Sequence, residues 1–335
     1  MKPDRLEDLI AANALFRPGP MDLIPDYNRR KHGQDKVPQV HEIVDRYTSE
    51  TYGVMVYQEQ VMQIVHGLGG IKLRDAYTLI KNISKKKHDK IEKERPKFVD
   101  GAQKQGLTKN QAEELFELIL KFAGYGFNKS HSTGYAIVAY QTAYLKTFFP
   151  NQYMAAFLTY ESGASQVSEW VPYLEDCKNT RFIDPASGTP IKVGVEVRPP
   201  DINLSDHDFT VVFAPDEPRT SRHGHMRFGL GAIKGVGDKA IESIVRERSV
   251  KGAFTPYASL FDFCERVGVG SAGSVNKATI EALIKSSAMD CLHGRPSRSA
   301  MVATIDAAVQ AAAAAQADKA SGQGALFGMG GPDAA

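Results

Sequence analysis

The stretch Phe122-Ala-Gly-Tyr-Gly-Phe-Asn-Lys-Ser-His-Ser-Thr-Gly-Tyr135 constrains this chain most, because it forces a turn between two helical runs and loads that turn with polar groups. Upstream, Gln111 to Phe122 spaces Leu115, Leu118, Ile119 and Phe122 at i, i+3, i+4 and i+7, which predicts an amphipathic helix. Downstream, Gly134 to Phe149 carries Tyr135, Ile137, Val138, Tyr140, Tyr144, Leu145 and Phe148 almost all round, so it predicts a helix buried among neighbours. Asn128, Lys129, Ser130, His131 and Ser132 therefore fall at a helix N-terminus. Such an end has free backbone N–H groups and a partial positive charge, and it favours anions. Ser130 or Ser132 can cap it, Lys129 adds a full charge, and His131 adds a donor. A triphosphate or a nucleic-acid phosphate suits this chemistry.

The run from Phe122 to Ser132, with Tyr135 and Tyr140-Gln-Thr-Ala-Tyr-Leu-Lys146, resembles the fingers signature of the C-family polymerases, the bacterial DNA polymerase III alpha subunits. Tyr52-Gly-Val-Met-Val-Tyr-Gln-Glu-Gln60 resembles the same family. It leads into a predicted helix with Val61, Ile64, Val65 and Leu68 on one face, stopped by Gly69-Gly70. Leu6 to Leu15 predicts a short helix, and Phe16-Arg-Pro-Gly-Pro-Met21 ends it. That turn is similar to the one following the palm domain in the family. The resemblance implies metal-binding aspartates upstream of it, yet the roughly fifteen residues before it hold no Asp-x-Asp pair. The expectation is a fragment that starts after the palm, contains no catalytic carboxylates or metal ligands, and does not polymerise alone. The two Mg²⁺ ions of the reaction would sit at the missing palm.

Between Ile71 and Lys97 ten basic residues face four acidic ones. A charge run of this kind can be simply a solvated helix face. Within it Leu79-Ile-Lys-Asn-Ile-Ser-Lys-Lys-Lys87 is similar to the family segment that turns cations toward the incoming nucleotide. Family members commonly carry two adjacent arginines there, whereas this chain has Ile80 and Lys81. Lysine meets phosphate as a point charge and lacks the arginine fork. The resemblance implies a nucleotide-binding set of Lys81, Lys85, Lys86, Asn128, Lys129, Ser130 and His131.

Helices are predicted over Tyr153 to Tyr160 and Ser165 to Thr180, with Trp170 as a core residue. From about Arg181 the apolar period drops to two. Ile191 to Val197, Phe209 to Phe213 and Met226 to Phe228 predict short strands, and Ala214 to His225 an exposed loop. His207, His223 and His225 lack the accompanying ligands a metal site needs. Ile233-Lys-Gly-Val-Gly237, followed by Ala240, Ile241, Ile244 and Val245, has the pattern of a helix-hairpin-helix, where Gly-x-Gly lets backbone amides approach a DNA phosphate. Lys234, Gly235, Gly237 and Lys239 are the DNA-binding candidates. Leu260 to Arg266 and Thr279 to Lys285 complete that domain, with Gly268 to Ser274 as a flexible break. Ser297 to Lys319 is alanine-rich, strong in helix propensity and poor in packing groups, so a surface helix is expected. Gln323-Gly-Ala-Leu-Phe327 is similar to the peptide by which the family holds the sliding clamp (beta subunit): Leu326 and Phe327 would fill an apolar pocket and Gln323 would bond at its rim.

The 335 residues, 42% apolar and 24% charged, suffice for two or three domains. The fold class expected is mainly α with a small β-sheet (α+β). It comprises helical fingers (1–180), a β-rich connection (181–229), a helix-hairpin-helix domain (230–296), and an alanine-rich helix with a disordered tail (297–335). Net charge is only +2, so nucleic-acid affinity has to come from local patches. Three distant cysteines with no C-x-x-C spacing argue against a zinc site and for a reducing cytoplasm, and no secretory or membrane-spanning run is expected. The family resemblance implies template-directed DNA synthesis, with dNTP, primer-template DNA, the sliding clamp and other replicase holoenzyme subunits as partners. A non-catalytic DNA- and clamp-binding replication module is the alternative, and a repair protein using the hairpin alone explains less of the N-terminal half.

Overall fold

A computed structural model of the chain describes residues 1–164, 166–250, 252–269 and 275–320. The chain is mainly α-helical with small β-sheets, and it divides into two compact units, residues 1–142 and 143–335.

The first unit opens with α1 (Leu6–Leu15), which buries Ile10, Ala11, Ala14 and Leu15. The Arg17-Pro-Gly-Pro20 turn ends it, and α2 (Ile24–Lys31) follows. A buried polar cluster ties these two helices together. The Tyr27 hydroxyl donates to the Asp8 carboxylate at 2.9 Å, and the Lys31 ammonium bridges Asp8 and Asp4. The Asp8 and Lys31 side chains are 0% and 3% exposed, so neither can relax into water if the other is lost. Next come α3 (Glu42–Thr48), α4 (Gln58–Gly69), α5 (Leu73–Ser84), α6 (His88–Glu92), α7 (Arg95–Lys104) and α8 (Lys109–Ala123). They share a core containing Ile64, Leu68, Leu79, Phe98, Phe116 and Ile119. Burying each large side chain there contributes about 1.5–3 kcal/mol. On α8 the inward stripe is Ala112, Leu115, Phe116, Ile119 and Ala123. Leu118, expected inside, is exposed because it lies off that stripe.

Helix α9 (Lys129–Phe148) carries the chain onward, and it begins at Lys129 rather than at Gly134. Only Ser132 and Ala136 of it are buried; Tyr135, Val138 and Tyr140 are more than half exposed. The expectation of a helix buried all round is thus corrected. Apolar periodicity reports what a face is made of, not whether another element covers it.

In the second unit α10 (Pro150–Ala164) and α11 (Val167–Asn179) precede the small sheets. Strands β1 (Arg181–Ile183) and β2 (Pro190–Val193) pair antiparallel. Strand β3 (Val197–Arg198) runs parallel to β5 (His225–Arg227), and β4 (Thr210–Val212) runs antiparallel to β5. The single strand expected over Ile191 to Val197 is therefore two, broken at Gly194 and shared between sheets. Trp170 is buried, tilted 5.6 Å from Phe228 and edge-on to Phe209 at 6.3 Å, as a core residue. His225, expected in an exposed loop, instead opens β5 in a buried position beside Arg227, and burial pushes its pKa down.

The unit continues through α12 (Asp238–Glu247), β6 (Ser249–Val250), β7 (Ala253–Phe254), α13 (Leu260–Val267), α14 (Lys277–Lys285), α15 (Asp290–His293) and α16 (Arg298–Ala320). Ile241, Ile244, Phe263, Leu283 and Ile284 belong to the core of this part of the unit. Helix α16 does not merely lie on the surface. Met301, Ile305 and Ala312 enter this core, and the helix packs on α13 and α14. The run Arg295–Lys319 is long and apolar enough to cross a membrane by length and composition alone, a property alanine confers even on a helix packed in a domain. Gln323, Leu326 and Phe327 lie outside the described residues, as does most of the Gly268 to Ser274 break.

Candidate phosphate-binding sites

In the first unit the glycine-rich turn is stapled from two sides. The Phe127 amide donates to Val56 O at 3.2 Å and the Gln58 amide to Phe127 O at 2.9 Å, which joins the turn to the lead-in of α4. Arg17 donates to Tyr125 O at 2.7 Å, and its guanidinium lies 4.5 Å over the Phe127 ring. The start of α9 is thereby held in place before any ligand arrives.

Asn128 caps that helix: its Oδ1 accepts from the His131 amide at 2.8 Å. Neither serine does so. Ser132 is buried and donates to Ile10 O at 2.7 Å, and Ser130 stands exposed. Asn128 and His131 are exposed too, with the imidazole between the rings of Phe127 (5.6 Å) and Tyr135 (4.9 Å). Lys129 is half-buried and already engaged. Its Nζ lies 2.7 Å from both oxygens of Glu50 and 5.6 Å over the Tyr57 ring. Its amide donates to both oxygens of Glu59, at 3.1 and 3.0 Å, and Asn128 Nδ2 donates to Glu59 at 2.9 Å. Burial pushes the Tyr57 phenol up, and Glu50 and Glu59 push it further.

The lysine cluster leaves the end of α5. Lys81, Lys85 and Lys86 are exposed, and the Ser84 hydroxyl donates to Ala123 O at 3.3 Å. That bond fixes the end of α5 to the residue from which the glycine-rich turn departs. Lys86 has φ +53°, in the left-handed region, and its amide donates to Ile83 O at 2.9 Å to close the helix end. Sequence reasoning missed Glu50 and Glu59. Glu59 stood inside the Tyr52 to Gln60 run with nothing in the sequence to mark a partner; Glu50 carried no signal. Gln60, the last residue of that run, is buried and holds the amides of Val56 and Tyr57 through its Oε1 at 2.8 and 2.9 Å.

In the second unit a single 3₁₀ turn (Leu230–Ala232) leads to the loop before α12. Ile233 and Val236 are buried and anchor it, while Lys234, Gly235, Gly237 and Lys239 are exposed. Gly235 needs to be glycine for its φ of +92°. Gly237 is different. As N-cap of α12 it has φ −89°, and a Cβ there would meet nothing within 4 Å. Among the described residues nothing in the packing requires glycine at 237, and the start of α12 is open there. The His207 ring bridges Asp208 (2.8 Å) and Asp238 (3.1 Å), and these carboxylates, Asp208 foremost, raise its pKa. Among the described residues no three His, Cys, Asp or Glu side chains group as a metal site.

Residues 1–106 match the bacterial DNA polymerase III alpha subunit finger domain, and residues 194–301 match a helix-hairpin-helix motif. The chain is similar to the DNA polymerase III subunit alpha of Neisseria meningitidis serogroup A, 41% identical over 97% of the chain and 25% of the relative. The corresponding protein of Vibrio cholerae is 40% identical over 98% of the chain and 26% of its own length, and that of Haemophilus influenzae 38% over the same shares. The chain thus spans about a quarter of the length of these relatives.

Proposed function

We propose that this chain, which belongs to the bacterial DNA polymerase III alpha subunit family, supplies the nucleotide-phosphate and DNA-backbone contacts of a cytoplasmic replicative DNA polymerase. The reaction is attack of a primer 3′-hydroxyl on the alpha phosphate of a dNTP. Mg²⁺ would supply charge stabilisation at palm carboxylates. This chain's own residues bind and orient. Asn128, Ser130, His131 and Lys129 take the triphosphate at the start of α9, and Lys81, Lys85 and Lys86 add cations from the end of α5. Lys234, Gly235, Gly237 and Lys239 hold the phosphates of primer-template DNA. Gln323, Leu326 and Phe327 hold the sliding clamp, and other replicase subunits complete the assembly.

The observation that carries this reading is the first turn of α9, preassembled by Arg17 and α4, with Asn128, Ser130 and His131 facing solvent. One observation favours the rival, a DNA- and clamp-binding module with no nucleotide role: Lys129 already has a carboxylate partner. Replacing Lys129 and His131 with Ala and titrating dATP and duplex DNA separates the two. The polymerase reading expects dATP affinity to fall at least tenfold with little change for DNA; a change in the DNA affinity alone would make the module the better account. The chain by itself is expected not to extend a primer.

A further inference from the structure

We propose that Glu50 and Glu59 serve the phosphate-binding turn in opposite ways: Glu59 is a positioning residue that holds it in shape, and Glu50 occupies the Lys129 ammonium until a polyanion displaces it. This rests on the reading of Asn128 to His131 as a nucleotide-phosphate site.

Glu59 acts on backbone and cap together. Its two oxygens receive the Lys129 amide, and one also receives Asn128 Nδ2. The other end of the same Asn128 side chain accepts from the His131 amide. One carboxylate therefore sets the orientation of the cap through which His131 is placed. Glu59 is itself held firmly, since its neighbour Gln60 is buried and bonded through both ends of its amide, to Val56, Tyr57, Tyr47 and Thr51. Its contacts cross 70 positions of sequence, so the turn depends on α4.

Glu50 has a different character. It comes from the 3₁₀ turn Ser49–Thr51 and touches only the Lys129 ammonium among the groups of the turn. The Lys129 and Glu50 side chains are 36% and 30% exposed. An ion pair this open is weak and screened by salt, unlike the enclosed Asp8–Lys31 pair. A triphosphate, with several negative charges on adjacent groups, outcompetes one carboxylate for the same ammonium. While Glu50 holds it, Lys129 is unavailable, and the apparent affinity falls by the fraction of molecules in which it is free. The Tyr57 ring at 5.6 Å gives the released cation a face to rest on.

The test titrates dATP into the intact chain in four forms: wild type, Glu50→Gln, Lys129→Met and the double variant, with Glu59→Gln measured alongside. Glu50→Gln should tighten dATP binding about two- to fivefold at low salt, the gain an exposed pair's weak competition allows. That gain should vanish in the Lys129→Met background and shrink as salt rises. Glu59→Gln, which keeps an acceptor but loses one hydrogen bond, should weaken binding. A Glu50→Gln gain that persists without Lys129 would overturn the proposal, because it would reflect only the overall charge. No gain in Glu50→Gln, with binding still lost in Lys129→Met, would remove the role of Glu50 and leave the nucleotide site standing. If Lys129→Met binds dATP like wild type, the nucleotide reading itself fails.

Discussion

Lys86 sits in a left-handed conformation that costs a residue with a side chain about 1–2 kcal/mol relative to the usual helical region. Such strain persists where the surrounding structure imposes it, here the closure of α5 by the Lys86 amide on Ile83 O. Replacing Lys86 with Gly should therefore leave the thermal stability of the first unit unchanged or raise it by up to about 1 kcal/mol, while dATP affinity falls several-fold. Unchanged affinity would detach the strain from the site. At this scale the sequence showed residues whose chemistry is local: Lys129 and His131 stand out because charge and donor are adjacent at a helix start. It hid Glu50 and Glu59, which act 79 and 70 positions away and become partners of Lys129 only after folding. It also misassigned the cap, since serine, asparagine and distant carboxylates compete for the same amides and only packing decides among them.

Elements were legible where one face is buried and a stop signal is strong. Helix α1 has the bounds its apolar residues and the following prolines predict, and α4 ends at Gly70 in a left-handed cap. The short strands were less so. Two or three residues of alternation cannot say which sheet a segment joins, and Gly194 split one expected strand into two. Helix α16 misled for a related reason: alanine is a poor filler alone, yet Met301 and Ile305 suffice to dock it. The hairpin loop before α12 yields a prediction at this level. Gly237→Ala fits the folded backbone and meets no atom, so its stability cost should stay below about 1 kcal/mol, the change in N-cap preference. Its affinity for duplex DNA should nonetheless fall several-fold in fluorescence anisotropy, because the methyl group stands where a phosphate would approach. Equal DNA binding by the two proteins would remove the loop from the interface.

Across the whole molecule, the proposed function assigns one kind of phosphate contact to each of two compact units, and each unit packs on its own apolar clusters. The first is sensitive to acid through Asp8. Burial alone would raise its pKa, but the hydrogen bonds from Lys31 and Tyr27 prevail and hold it well below the usual carboxylate range. A depressed folded-state pKa contributes stability above the unfolded value of about 3.9, and that contribution is lost as pH falls below it. The unfolding midpoint of the first unit should therefore drop between about pH 5 and pH 2, more steeply in wild type than in Asp8→Asn. Lys31→Met should cost about 3–5 kcal/mol at neutral pH, since it strands a buried carboxylate. The central claim, that the start of α9 grips nucleotide phosphates, is most directly tested by following the His131 ring resonances in solution while adding dATP or deoxyadenosine. The account predicts saturable shifts with the triphosphate and none with the nucleoside; identical responses to both, or no response to dATP, would contradict it.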